Sequence, residues 1–450
     1  MLYHILRVLL TITFQFFFKR LRITGKARIP EQGPVIICAN HPGSFLDPIV
    51  IATSINRKLY FLAKGEVFRS SFAKWMLPRL NMIPVYRKQD NPDLMHKNEE
   101  TFEQCYEHLN NGGAIIIFPE GVSVTEWKVK PLKTGAAWIA LGAVKKYGAN
   151  CRVKISCIGI NYDDPHTFRK DAFLSVAEAI DVVDYDNSDN DKEQVKALTD
   201  EIAKRLTEQV VHVRDDQEEQ VVRAIERLYK GELLLRMGVS SADLSQQWQL
   251  TQRISEIVAW YKDHEPQRFS AFATTVSSYF WKLEQLRLSD KAIRATAEGR
   301  VSARRYLFEW LFILIGFPFY VYGLLHNYLP FFTATYIADK KVKQREFKGA
   351  VGAAGGMFLF IIWYSFGAWL SHLYFDSFWW WLLYLLSWPL SGMWSWYYYR
   401  SIRAHGKKWI ILTVLRKRKQ LLQELIAERE ELLSEIKSAE RQFNDLAPLG

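Results

Sequence analysis

The sequence predicts an α/β domain built on a central sheet, followed by a helical subdomain and C-terminal transmembrane helices. Three observations carry this reading. Short apolar runs alternate with helical patterns from Ile23 to about Val183, the signature of strands and helices in turn. A charged stretch of helical period follows, from Lys192 to Arg305. From Tyr306 the composition turns sharply apolar, and most of the 16 Trp lie in the last third.

A chain of 450 residues can bury a sizeable core and hold more than one domain. Its net charge of +11 and pI near 9.2 suit an anionic partner. The clustered Trp favour a lipid interface, where aromatic belts sit. The basic residues flank apolar segments instead of lining a groove, which excludes nucleic acid as the partner. Cys38, Cys105, Cys151 and Cys157 form no CxxC pair and read as free buried thiols, not disulfides or zinc ligands.

The N-terminus, Met1 to Phe18, is apolar, with His4 and Arg7 inside it and Lys19, Arg20 and Arg22 closing it. No small-residue cleavage site follows, which argues against a removed signal peptide; of a short membrane helix and an amphipathic helix lying in the interface, the second is expected for the membrane-associated residues 1–22. In the α/β domain, residues 23–190, the strand candidates are Val35–Cys38, Leu59–Ala63, Met82–Tyr86, Ala114–Phe118, Val153–Asn161 and Phe173–Ala179. Asp93–Asn110 and Lys133–Tyr147 read as helices. The acidic, Asn-rich Asp184–Asp191 lacks the Gly and terminal Glu of a calcium loop and reads as a linker. The helical subdomain spans 191–305, and no spacing along the chain suggests a metal site.

Membrane segments occupy 306–400. Gly349–Leu373 and Ser377–Tyr399 have spanning length, and Tyr306–Ile337 is interrupted by Pro318 and Pro330. Basic clusters flank them at Arg304–Arg305, Lys340–Lys348 and Arg400–Lys408. The positive-inside rule puts all three clusters in the cytoplasm. Gly349–Tyr399 is then a hairpin turning at Ser371–Ser377, and Tyr306–Ile337 enters and returns near His326–Pro330. The charged tail, 401–450, carries a basic collar, Arg416–Lys419, and then Leu422, Leu425, Leu432 and Ile436 at heptad-like spacing, with Arg429 in the seam. It reads either as a short coiled coil or as a solvated helix near the membrane.

The chemistry centres on Cys38–Pro48. An apolar strand stops at His41, and Pro42-Gly43 is a strong turn signal. Asp47 lies six residues after His41; on a regular helix that offset turns through about 600° and separates the side chains. They meet only if the turn bulges, and a His–Asp pair so held is a general base with its orienting partner. The plainer reading is a strand-end His and a helix-capping Asp. A second signal, Phe118-Pro119-Glu120-Gly121, ends another strand; Ser123 follows, then Lys128, Lys130 and Lys133 lead into a helix. Lysines before a helix N-terminus make a phosphate site. A third, Ile83-Pro84-Val85-Tyr86-Arg87, ends a strand in cations, and Lys64 ends the strand before it. Strand ends on one edge of an α/β sheet converge on a crevice.

The His41…Asp47 pair, then IPVYR, then FPEG, then the strand ending in Asn161-Tyr162 resemble, in order and spacing, the phospholipid/glycerol acyltransferase family over roughly Ile23–Val183. Most of that family has four residues between His and Asp; here there are five. That spacing, with Pro131–Gly135, Ala140–Gly142 and His166–Arg169, resembles the fungal-type glycerol-3-phosphate/dihydroxyacetone-phosphate acyltransferases. An Arg often found soon after FPEG is replaced by Val122-Ser123-Val124-Thr125. The resemblance implies a mixed sheet flanked by helices and acyl transfer from a thioester to a glycerol hydroxyl, without a cofactor. The donor is acyl-CoA or acyl-carrier protein, and the acceptor glycerol-3-phosphate or lysophosphatidate. It also implies a helical insert and C-terminal membrane segments; with the basic flanks, the expectation is a multi-pass membrane protein with its site on the cytoplasmic face. His41 and Asp47 are the catalytic candidates; Asn40, Lys64, Arg87, Glu120, Gly121, Ser123 and Lys133 are the substrate-binding ones. Backbone N–H groups around Gly43 or Gly121 are candidates for the oxyanion. No nucleophile elbow is present, and a reading from another class, a catalytically inactive membrane scaffold, runs against the retained His41, Asp47, Glu120 and Gly121.

Overall fold

The computed structural model describes residues 2–86, 93, 96–148, 151–186, 190–240, 242–298, 303–410 and 419–446. The chain divides into two compact units, residues 1–212 with 334–357, and residues 213–333 with 358–450.

In the first unit, helix α1 (Leu2–Phe17) leads to strands β1 (Arg20–Thr24) and β2 (Val35–Ala39), then α2 (Leu46–Ser54), β3 (Leu59–Lys64), α3 (Ser71–Met76), β4 (Met82–Val85), α4 (Lys97–Asn110), β5 (Ala114–Ile117), α5 (Gly135–Tyr147), β6 (Lys154–Tyr162), β7 (Asp171–Val176), β8 (Ile180–Asp181) and α6 (Asp191–Glu208). The strands form one sheet in the order β1-β7-β6-β2-β5-β3-β4, with β8 also beside β6. β7 and β8 run antiparallel to β6; the other neighbours are parallel. The sheet is therefore mixed, and β2, β5, β3, β4 and β6 end on the same edge.

Both faces of the sheet are covered, as continuous apolar strands require. Successive side chains point to opposite faces. Ile36, Cys38, Ile115 and Ile117 pack with α5, α6 and the buried residues of α4. Val35, Ile37, Ala39, Ala114 and Ile116 pack with α1, α2 and Ala350 and Ala353.

Several sequence-based expectations change. Arg20–Arg22, read as the basic end of the interfacial segment 1–22, lies in edge strand β1, where Arg20 bonds Asp171; one paired charge disguised a strand. α1 buries Tyr3, Phe14 and Phe17 and leaves Leu2, Ile5, Val8, Ile12 and Phe16 exposed, so it has two apolar faces. α6 belongs with the sheet, because Val195, Leu198, Ile202 and Leu206 complete its core. The unit thus reaches His212 instead of ending near residue 190.

The second unit holds α7 (Asp216–Leu228), α8 (Lys230–Arg236), α9 (Leu244–His264), α10 (Pro266–Gln285), α11 (Asp290–Ala297) and α15 (Lys419–Leu446), together with most of α12 (Ala303–Tyr336), the later part of α13 (Arg345–His372), and α14 (Phe378–Ile410). α15 is neither a solvated helix nor a free coiled coil. It packs on α9, α10 and α11, and Arg429, which interrupts its apolar stripe, is buried against Asp290 at 2.9 Å and the Leu228 carbonyl at 3.2 Å. The basic collar at Arg416–Arg418 lies outside the described residues.

α12 does not turn back near His326–Pro330. It runs unbroken past both prolines, so Arg304 and Lys340 lie toward opposite ends of one continuous helical segment. Pro330 has no N–H to give the carbonyl four residues earlier; Trp363 Nε1 bonds that His326 carbonyl instead, at 2.8 Å. α13 and α14 do form a hairpin, with Trp381 Nε1 bonding Ser371 Oγ at 3.1 Å across the turn. Phe308–Lys341 and Arg345–His372 are long and apolar enough to cross a membrane. Among the described residues, α14 is long but does not reach that apolarity.

Candidate active site

β2 delivers Asn40 and His41 to the edge where β5 delivers Phe118–Glu120. The chain after His41 bulges as required: Ser44 takes a left-handed φ of 54°, and α2 starts at Leu46 with Asp47 in its first turn. Asp47 does not cap the helix with its side chain. Its carboxylate turns back, and Oδ2 lies 2.7 Å from His41 Nδ1. The Gly43 N–H donates to the same oxygen at 2.8 Å, and the Tyr162 hydroxyl donates to Oδ1 at 3.0 Å. With Asp47 ionised, Nδ1 carries the proton and Nε2 keeps its lone pair, the tautomer a general base needs. Asp47 is wholly buried while the His41 side chain is 20 % exposed, so the imidazole is open to solvent and the carboxylate is not. The turn has no room for a side chain at Gly43, where a Cβ would stand 2.7 Å from Asp47 Oδ1.

Glu120 plays a different part from the one expected. It is buried, and its two oxygens accept the backbone N–H of His41 at 2.9 Å and of Lys130 at 3.0 Å. Burial raises its pKa above the ordinary carboxylate value, and those two backbone bonds oppose the rise. Glu120 ties β2, β5 and the long 119–134 connection together. Asn40 is likewise engaged: its amide donates to the Ile160 carbonyl at 3.0 Å and accepts the Ile160 N–H at 2.7 Å. It fastens the β2 exit to β6.

The two expected oxyanion donors are also occupied. The Gly43 N–H serves Asp47, and the Gly121 N–H bonds the Phe118 carbonyl at 3.1 Å. Gly121 adopts φ of +69°, the left-handed turn that reverses the chain after FPEG. The Ser123 hydroxyl is buried with no hydrogen-bond partner among the described residues. Lys64 and Lys133 are exposed. Lys64 ends β3 opposite Val85 of β4. Lys133 precedes α5, and its N–H bonds the Pro119 carbonyl at 2.7 Å. That bond brings the start of α5, which has no side-chain cap, back to the FPEG turn. Arg87 lies outside the described residues.

Other contributors lay hidden in the sequence. Phe118 stacks on the His41 ring, centroids 4.1 Å apart and planes 17° from parallel. Thr125 donates to the Pro42 carbonyl at 2.8 Å and lies 3.0 Å from His166 Nε2. The Val124 N–H bonds the His41 carbonyl at 3.2 Å. Phe118 and Tyr162 belong to motifs noted above, but neighbours in space leave no spacing in a sequence. Burial pushes the Cys38 thiol up to about 12, which leaves it an inert core residue. Among the described residues no group of three His, Cys, Asp or Glu side chains is placed to hold a metal ion.

Residues 20–161 match the acyltransferase family model. The chain is 24 % identical to glycerol-3-phosphate O-acyltransferase 1 of Saccharomyces cerevisiae, over 78 % of this chain and 56 % of that protein. It is 22 % identical to glycerol-3-phosphate O-acyltransferase 2 of the same yeast, over 79 % and 61 %. A 1-acyl-sn-glycerol-3-phosphate acyltransferase of Bacillus subtilis is 24 % identical over 42 % of this chain and 86 % of its own length. The chain thus spans a little over half the length of the two yeast relatives. The crystal structure of a 1-acyl-sn-glycerophosphate acyltransferase from Thermotoga maritima aligns with 46 % of this chain and 79 % of that one, at 20 % identity and a TM-score of 0.34.

Proposed function

We propose that this chain, which carries an acyltransferase domain at residues 20–161, moves a fatty acyl group from an acyl thioester to the hydroxyl of glycerol-3-phosphate. The observation that carries the reading is the 2.7 Å contact between His41 Nδ1 and the buried Asp47 carboxylate. His41 Nε2 takes the proton of the glycerol hydroxyl as that oxygen attacks the thioester carbonyl. The new C–O bond forms, the C–S bond breaks, and the proton passes from His41 to the departing thiolate. No acyl-enzyme is needed, in keeping with the inert Cys38.

Lys133 at the uncapped start of α5, with Lys64 and Arg87, supplies the positive field for the phosphate; dipole and ammonium favour the same anion. Asn40 and Glu120 serve by holding the strand exits. The donor is acyl-CoA or acyl-carrier protein. The two long apolar helices support a protein held in the membrane by more than one pass.

A second acceptor, lysophosphatidate, is favoured by relatives named for 1-acylglycerol-3-phosphate, which match 27 % to 42 % of the chain. An assay of purified protein with glycerol-3-phosphate and lysophosphatidate side by side decides between them. Turnover of neither overturns the enzymatic reading.

A further inference from the structure

We infer that Tyr162 is a positioning residue of the His41–Asp47 dyad, holding the Asp47 carboxylate through its phenolic hydroxyl. This rests on the acyl-transfer reading above. A wholly buried carboxylate needs donors on both oxygens. His41 and Gly43 supply Oδ2, and the hydroxyl of Tyr162 supplies Oδ1 at 3.0 Å. Fixing Oδ1 fixes the carboxylate's rotation, so that Oδ2 keeps facing the imidazole.

Tyr162 is itself held from several sides. It ends β6, whose register beside β2 is locked by the Asn40–Ile160 bonds. Its ring is buried and stacks on Phe18, just beyond α1, with centroids 6.0 Å apart and planes 6° from parallel. A Cβ at Gly43 would stand 3.2 Å from the same ring, so turn, carboxylate and phenol form one close-packed wedge. Burial holds the phenol well above its ordinary pKa, so it stays a donor at working pH.

The hydroxyl also shares Asp47's charge. Without it the carboxylate draws a proton onto His41 more strongly. Among the described residues, Glu120 lies under the His41 main chain, and His166, which feels Asp47, has Asp164 on its own loop and Arg345 and Glu346 on the first turn of α13 around it. Removing one phenolic oxygen leaves all of them in place.

The test is the pH dependence of kcat for the full chain carrying Tyr162→Phe, beside wild type and His41→Ala. The expected result is a kcat lower by roughly tenfold to a hundredfold, the size of a hydrogen bond to a charged group, with an acid limb moved to higher pH. KM for the phosphorylated acceptor should stay within about twofold, as for an interaction that acts on the chemical step. Replacement by 3-fluorotyrosine, a stronger donor of nearly the same shape, should move the limb the opposite way and does not depend on how Tyr162→Phe folds. An unmoved acid limb in both variants overturns the inference, whatever kcat does. If His41→Ala keeps its activity, the acyl-transfer reading itself fails. If His41→Ala is inactive and both Tyr162 variants behave as wild type, only the role of Tyr162 fails.

Discussion

Glu120 accepts the backbone N–H of His41 at 2.9 Å, so the carboxylate of one motif sets the main chain of the other. The FPEG turn is the support on which the base rests. On the proposed reading the chemistry rests on His41, and much of the site's geometry on side chains engaged by backbone groups.

His41→Ala should lower kcat by roughly 10²- to 10⁴-fold, the usual contribution of general base catalysis. The fold should stay intact, with the thermal unfolding midpoint lowered modestly, because the buried Asp47 loses one of its hydrogen bonds and Phe118 its stacking partner. Steady-state kinetics and a melting curve on the same preparation check both parts.

Glu120→Gln should destabilise the first unit by about 1–3 kcal/mol, since a Gln side chain has one acceptor for two buried backbone donors. The pH sign follows from the raised pKa. A carboxyl that binds its proton more readily folded than unfolded favours the native state below its unfolded pKa, and that contribution fades as pH rises through the folded pKa. The gap in melting temperature between wild type and Glu120→Gln should therefore be wider in acid than at neutral pH. A gap that widens toward neutral pH contradicts this.

Lys133→Ala should raise KM for the phosphorylated acceptor several-fold and leave KM for the acyl thioester unchanged. High salt should shrink the difference, because an exposed ammonium is screened. Arg87→Ala should act in the same direction, and an unchanged acceptor KM would remove that residue from the phosphate site.

Arg429→Met should destabilise the helical unit by about 3–5 kcal/mol, the usual consequence of leaving a buried charge without its partner. Asp290 is 7 % exposed and would be the stranded charge. Arg429→Met with Asp290→Leu should recover most of the loss, as both charges then leave the interior together. Denaturant unfolding of the full chain in detergent measures the three variants.

The sequence by itself determined what can be read along one strand or one turn. Val35–Cys38 and Ala114–Phe118 were legible as strands because unbroken apolar runs can only be buried. His41, Asp47 and the FPEG turn stood out because a base, its partner and Pro-Gly breaks occur within a few residues. Edge strand β1 escaped notice because its Arg20 pairs with Asp171 of the neighbouring strand β7. The path of α12 escaped because the donor that makes up for Pro330 comes from Trp363, 33 residues away.

Only the tertiary structure decided the division of labour inside the site. Glu120 and Asn40 look like ligand contacts in a motif, yet both are engaged by backbone from distant strands. Tyr162, 115 residues from Asp47, completes the carboxylate's hydrogen bonds. The physical reason is that a buried polar group must be paired, and folding brings its partner from whichever strand ends beside it. A sequence records which groups can bond; the register of β2 against β5 and β6 selects which of them do.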